Sequence, residues 1–277
     1  MIRRVLILAI YFQRRFVFSL PGILFLIMAF VFYMIFFGPG QLTPDVAYFA
    51  SVLGVFGIVL SFLVTLSFAA SANRAANLPI LVRIPSRVEY LTSVLLSSIV
   101  FSSVVLFVLA VVALLANGPI FGARFVILIP PLWFSGILMF STLALHASDL
   151  VAWNWSRVYV FGFIAILIYL REGLRIIGNA LSSLFVELSD RFSIQGWDAL
   201  ASMADNLGNL VSESGPRVLE RLVEVIFWPF NAIVNSLTNS QFSTAQAIAP
   251  VIILLYATIL FLLAAKVFSS KDLILSE

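Results

Sequence analysis

The chain has 277 residues, of which 62% are hydrophobic and only 10% are charged, and its mean hydropathy is +1.12. So few charges cannot cover the surface of a soluble domain, and the absence of cysteine excludes disulfides, thiol nucleophiles and thiolate metal sites. The net charge is +3, and anionic lipid headgroups explain this excess better than nucleic acid, since no stretch alternates basic and aromatic residues.

The first fifteen residues predict a helix that lies in the membrane interface. Their apolar run, residues 5–11, is short, and no small-x-small cleavage site follows it, so a signal peptide is disfavoured. Arginines stand at both ends of this run, which is typical of an interfacial helix: Arg3, Arg4, Arg14 and Arg15.

Five blocks contain no Asp, Glu, Lys or Arg, and each is close to the roughly 20 residues that a helix needs to cross a membrane: 16–37, 46–70, 90–116, 125–145 and 247–265. A sixth, 158–170, becomes a full span if the helix runs on to residue 177. The blocks lack the alternation of a barrel strand. The sequence therefore predicts an all-α membrane protein with six transmembrane helices in one transmembrane domain, residues 1–277.

Residues 72–89 predict a short cytoplasmic loop between the second and third spans. Pro79 and Pro85 bracket an amphipathic turn, and Ser86 with Glu89 has the spacing of a capping box at the start of the third span. Such a turn docks in a groove of a soluble domain or lies on lipid.

Charged residues near the fifth span are Arg171, Glu172 and Arg175. They pair with one another or with headgroups, or they mark a polar cluster within the membrane. The spans hold no dense ionisable relay, which disfavours a proton-driven carrier.

The segment 179–245 predicts a long, partly helical outer loop between helices five and six. Apolar residues recur at helical spacing in three runs within it. Two arrangements remain open: three helices packed as a lid, or a re-entrant hairpin that turns near Pro229.

The distribution of cations predicts the orientation. Short loops on one side carry nearly all the arginines, whereas Arg124 is the only cation in the short loops on the other side. Both termini should face the cytoplasm of a plasma (inner) membrane.

The sequence also argues against an enzyme. The only histidine is His146, no Gly-x-Ser-x-Gly elbow is present, and neither lysine, Lys266 or Lys271, follows a glycine-rich turn. No cofactor is expected in this chain, and any ATP must be hydrolysed by another subunit.

The loop resembles that of permease subunits of ATP-binding-cassette exporters of the type-two class. In this family a charged start and a leucine-rich turn precede Pro-Ser-Arg; here these are Arg74, Leu78, Leu81 and Pro85-Ser86-Arg87. The interfacial helix, six spans, long outer loop and basic tail extend the resemblance along the whole chain.

The resemblance implies that the loop is a coupling helix that contacts an ATPase. It assigns coupling to Arg74, Leu78, Leu81, Arg83, Pro85, Ser86 and Arg87. It implies two ATPase subunits that carry ATP and Mg²⁺, and a second permease, either a homodimer partner or a paralogue. The alternative is a non-catalytic structural or accessory subunit of a larger membrane complex.

Overall fold

The computed structural model describes residues 2–39, 41, 43, 45–120, 122–151, 156–194, 197, 200, 202–203, 206, 227–235 and 244–270. The side chains of residues 78, 117, 123–124, 156, 166–182, 185 and 244–246 lie outside that description. The chain divides into two compact units, one made of residues 1–160 and 229–277 and the other of residues 161–228.

All the regular elements of the described residues are helical, as the sequence predicts. They are α1 (Ile2–Val17), α2 (Leu20–Phe36), α3 (Val46–Ala72), a 3-10 turn (Ala75–Asn77), α4 (Leu78–Arg83), α5 (Arg87–Asn117), α6 (Ala123–Ala147), α7 (Ser156–Ile194) and α8 (Thr244–Ser270). Residues 227–235 are also helical.

Four helices in the described part of the chain are long and apolar enough to cross a membrane: Val46–Ala72, Arg87–Ala116, Phe125–Ala147 and Ala247–Ser270. Helices α1 and α2 pass the same test as a pair, with a bend of 71° between them. The chain is thus an integral membrane protein by composition and length, with four such helices, or five if the bent pair is one span.

The bend between α1 and α2 has a local cause. The Ser19 hydroxyl accepts a hydrogen bond from the Gly22 backbone N–H at 3.3 Å and so caps α2, and Pro21 occupies its first turn. A Cβ at Gly22 would lie 2.1 Å from the Phe16 carbonyl oxygen, so this close approach requires glycine. The first apolar block therefore begins as a new helix at Leu20, and Phe16 belongs to α1.

Helix α3 is the centre of the first unit and packs between α5 and α6. Its Leu53, Leu60 and Val64 are fully buried. Small residues bring the helices together: Gly57 faces Leu106 of α5, where an added Cβ would lie 2.6 Å from a leucine methyl, and Gly136 of α6 faces Ile58. Close packing at small residues is how helices associate in lipid, where the surroundings are as apolar as the side chains.

The hydroxyls buried on α3 bond within their own helix. Ser61 donates to the Ile58 carbonyl at 2.8 Å, and Thr65 donates to the Ser61 carbonyl at 2.7 Å. These bonds satisfy polar groups that water cannot reach.

Helix α2 has a different environment, because most of its apolar side chains are exposed. Phe30 is 62% exposed and Ile35 is 55% exposed, and only Gly22 and Ala29 of this helix are buried. A surface of this kind is compatible with lipid or with another membrane subunit, and not with water.

In the second unit, α7 continues without a break to Ile194. No proline interrupts residues 156–194, and the exposed Arg191 pairs with Glu187 one turn earlier at 2.7 Å. The predicted fifth span and the first amphipathic run of the predicted outer loop are therefore one 39-residue helix. The other two runs lie almost wholly outside the described residues.

Candidate coupling surface at the basic end of the helices

The ends of three helices meet on one side of the first unit. The Tyr90 hydroxyl at the start of α5 donates to the Ala72 carbonyl at the end of α3 at 2.7 Å, and its ring stacks on Phe268 near the end of α8. Arg87 Nη1 lies 3.5 Å from the Ser269 carbonyl, to which it donates. We call this side, with α1 and the α3–α5 loop, the basic end.

Cations outnumber acids at the basic end. The described cations there are Arg3, Arg4, Arg14, Arg15, Arg74, Arg83, Arg87, Arg157 and Lys266. The described acids there are Glu89 and Asp149, so nine cations face two acids, an excess of seven positive charges. Both acids are ion-paired, Glu89 with Arg4 and Asp149 with Arg157. The basic end therefore attracts anionic lipid or an acidic protein surface.

Helix α1 is fixed to the basic end near both of its ends. Arg4 Nη2 donates to Glu89 Oε1 at 3.1 Å, and Arg4 Nε lies 3.1 Å from Oε2. Eleven residues later in the sequence, Arg15 Nη1 donates to Asn77 Oδ1 at 3.0 Å, and the Asn77 amide donates to the Ser71 carbonyl at 2.7 Å. We call these two contacts the α1 clamp.

Apolar contacts fill the space between the two points of the clamp. Phe12 is 3% exposed and meets the Tyr90 ring edge-on at 5.4 Å, while the Ser97 hydroxyl donates to the Ala9 carbonyl at 3.1 Å. The helix that the sequence predicts at the N-terminus is thus packed against α5 along its buried face.

The capping box predicted from Ser86 and Glu89 is wrong. The Ser86 side chain makes no capping hydrogen bond, and the Glu89 carboxylate is only 5% exposed and faces Arg4. A guanidinium offers two charge-assisted N–H donors, which are stronger partners for a carboxylate than one backbone N–H. Sequence reasoning missed this pair because its members are 85 residues apart.

The α4 helix has one inward and one outward edge. Leu81 is 7% exposed and belongs to the core, and Ile80 and Ile84 pack against that core. The outward edge holds Val82, which is 74% exposed, together with the exposed residues Pro79 and Arg83.

This geometry places the residues of the predicted coupling loop in two groups. Arg74, Arg83 and Pro85 are exposed, Ser86 and Arg87 are half-buried, and Leu81 is buried; the Leu78 side chain lies outside the described residues. The burial of Leu81 removes it from any outer contact, which corrects its predicted place there. Val82, absent from the predicted set, is the exposed apolar residue. The sequence contains a pattern that identifies it: Asn77, Leu81 and Ile84 are spaced four and three residues apart and share the inward face, so Val82 lies off that face.

The predicted polar cluster and the only histidine of the chain lie outside the α3–α5 loop. Arg171, Glu172 and Arg175 are within α7, and their side chains lie outside the described part of the chain. His146 Nε2 is 2.8 Å from the Leu260 carbonyl, so this histidine connects α6 with α8. No group of three metal-ligating side chains occurs among the described residues.

Comparison of the chain with protein-family models, curated proteins and solved structures gives no match.

Proposed function

We propose that this chain is the permease subunit of an ATP-driven exporter of the type-two ATP-binding-cassette class. The observation that carries the proposal is α4, a short helix with Leu81 fixed in the core and Pro79, Val82 and Arg83 exposed on its outer edge. A soluble domain that binds the outer edge of α4 would transmit force to the core, because Leu81 anchors α4 there.

The loop also has short connections to the helices that would have to move. Residues 73 and 74 separate α3 from the 3-10 turn at Ala75–Asn77, and three residues separate α4 from α5. The α1 clamp attaches α1, the interfacial helix of the proposal, to the start of α5 through Glu89 and to the 3-10 turn through Asn77. Closure of two ATPase subunits, which hold ATP and Mg²⁺, would thus displace α3, α5 and α1 together and change the access of the pathway.

The direction of the helices supports six spans. Arg157 Nε donates to the Ala147 carbonyl at 3.2 Å, so α7 begins at the basic end, where α6 finishes. Helix α8 ends there too, because Phe268 lies on Tyr90, and so α8 begins at the opposite end. We assign α7 as the fifth span of the proposal, since α7 begins at the basic end and α8 begins at the opposite end.

The excess of positive charge at the basic end supports a cytoplasmic location for that end and for both termini. Single cysteines in this cysteine-free chain test it with an impermeant thiol reagent added from outside. Val82→Cys and Ile120→Cys are suitable because the two residues are 74% and 98% exposed, so burial does not limit either reaction. Labelling at residue 120 alone is expected. Labelling at residue 82 in intact cells would show that the basic end faces outward, which is opposite to the proposed topology.

The functional test is isolation of the full chain in mild detergent with the ATP-binding-cassette ATPases of the same cell, followed by native mass spectrometry and ATP hydrolysis. Two copies of the chain, or one and a paralogue, with two ATPases are expected. Val82→Asp and Arg83→Glu should release the ATPases, since loss of one partner of a buried interface contact typically weakens binding by about 2–5 kcal/mol. Lys266→Glu, the same charge change on exposed α8, is the control.

Two results would overturn the proposal. If the chain assembles only with membrane proteins that bind no nucleotide, it is an accessory subunit, an assignment that the exposed apolar surface of α2 favours. If Arg83→Glu and Lys266→Glu have equal effects, the loop acts only through its charge near lipid.

A further inference from the structure

A groove of about 630 Å³ lies between α6 and α8 near the end opposite the basic end. It is lined by apolar side chains and by three prolines: Pro130 and Pro131 of α6 and Pro250 of α8. Its volume lies in the usual range for small-molecule sites, which runs from about 300 to 1,000 Å³.

The prolines change the polarity of this apolar groove. Proline has no N–H, so the carbonyls four residues earlier, those of Val126, Ile127 and residue 246, cannot receive their helical hydrogen bonds. Ile127 and Pro131 both line the groove, and a helical carbonyl points along the axis toward the residue four positions on. Acceptors without helical donors therefore lie at the groove wall.

The depth of these carbonyl acceptors in the membrane indicates which part of a ligand would meet them. The carbonyls of Val126, Ile127 and residue 246 follow the first residue of their helix by two to four positions, or about 3–6 Å at 1.5 Å per residue. Half of a hydrocarbon core is about 15 Å thick. The acceptors are therefore near the boundary between the headgroups and acyl chains of the leaflet opposite the basic end.

We propose that this groove binds a neutral lipid whose headgroup carries hydroxyl groups. The carbonyls accept hydrogen bonds from the hydroxyls, while Leu132, Val251 and Leu254 pack against an acyl chain. No residue that lines the groove is charged, so it offers no counter-charge to a phosphate. The site goes beyond the proposed transport function and does not depend on an ATPase.

The test uses the full chain reconstituted in vesicles of phosphatidylcholine, phosphatidylglycerol and a monoglycosyl diacylglycerol with matched acyl chains. Native mass spectrometry then measures which lipid each protein molecule retains. The glycolipid is expected to be retained about fivefold over phosphatidylcholine, the effect of about one hydrogen bond. Pro131→Ala and Pro250→Ala, which restore the helical N–H, should abolish this preference. Pro21→Ala, at a proline in the first turn of α2, is the matched control and should keep it.

Val251→Trp provides a second, independent variant, because it fills the groove without changing its carbonyls. It should lower retention of the glycolipid to the level of the other lipids. Equal retention of all three lipids by the unaltered chain, preference for phosphatidylglycerol, or an unchanged preference in Pro131→Ala, Pro250→Ala and Val251→Trp would overturn the proposal.

Discussion

The two ends of the first unit are held together by different kinds of contact. At the basic end, side chains far apart in sequence are joined by polar bonds: Arg4 with Glu89, Arg15 with Asn77 and Tyr90 with the Ala72 carbonyl. At the opposite end the described long-range polar bond is Trp133 Nε1 to the Ala50 carbonyl at 2.9 Å, and the surroundings are apolar side chains and prolines. Polar bonds are directional, whereas apolar packing is not, so the basic end is the more uniquely fixed of the two.

The largest effect is expected where the basic end joins the core. Leu81→Asp would bury a carboxylate without a partner, and it should lower the free energy of unfolding by more than about 4 kcal/mol. Val82→Asp, one residue away and 74% exposed, should leave stability nearly unchanged. Thermal unfolding in detergent measures both. Equal stability of the two variants would show that α4 is not anchored as described.

A smaller effect is expected when the α1 clamp is opened. Arg4→Ala leaves the buried Glu89 carboxylate unpaired and should lower stability by about 2 kcal/mol, less than the 3–5 kcal/mol of a fully buried pair because Arg4 is 54% exposed. Glu89→Gln in the same chain removes the unpaired charge and should restore most of the loss. A double-mutant cycle from denaturation of the purified chain gives the coupling, and additive effects would contradict the ion pair.

Removing one hydrogen bond at each end allows the stability of the two ends to be compared directly. Tyr90→Phe leaves the Ala72 carbonyl without its hydroxyl donor and should lower stability by about 1 kcal/mol. Trp133→Phe removes the bond to the Ala50 carbonyl at the opposite end and also leaves space in the packing, so a loss of about 1–3 kcal/mol is expected. Hydrogen exchange of the amides near each site then shows which end opens. Equal opening of both ends in both variants would remove the contrast.

The smallest effect is expected on α7. Arg191→Ala breaks an exposed pair with Glu187, whose side chain is 61% exposed, and such pairs contribute about 0.3–0.5 kcal/mol at most. Circular dichroism during heating should give the same midpoint for the variant and the unaltered chain. A shift as large as that of Arg4→Ala would mean that the pair carries more than a surface contact.

The apolar blocks predicted the helices well because membrane spans need long runs without charges, and such runs are visible in the sequence. The break before Leu20 was also local, since Ser19, Pro21 and Gly22 together dictate it. What the blocks did not predict was where α7 ends, because its apolar span passes into an amphipathic run with no proline between them.

The candidate surface was harder to predict than the spans. The sequence located the loop and its short helix, but the resemblance assigned Leu81 to the coupling contact, and a six-residue helix carries too few residues to show from apolar content which face is buried. The partners of Glu89 and Asn77 lie on α1, and a pairing across 85 or 62 residues depends on the tertiary packing.

The buried hydroxyls of α3 have a consequence for how the helices can move against one another. Ser61 and Thr65 donate to carbonyls of their own helix, and Ser93 and Ser98 of α5 do the same, to Tyr90 at 2.7 Å and Leu95 at 2.8 Å. These four bonds travel with the helix that carries them, so a small sliding of α3 along α5 would break none of them. Between α3 and α5, the bond from the Tyr90 hydroxyl to the Ala72 carbonyl and the fit of side chains such as Leu106 against Gly57 resist such a shear; the side-chain fit can be regained one helical turn further on.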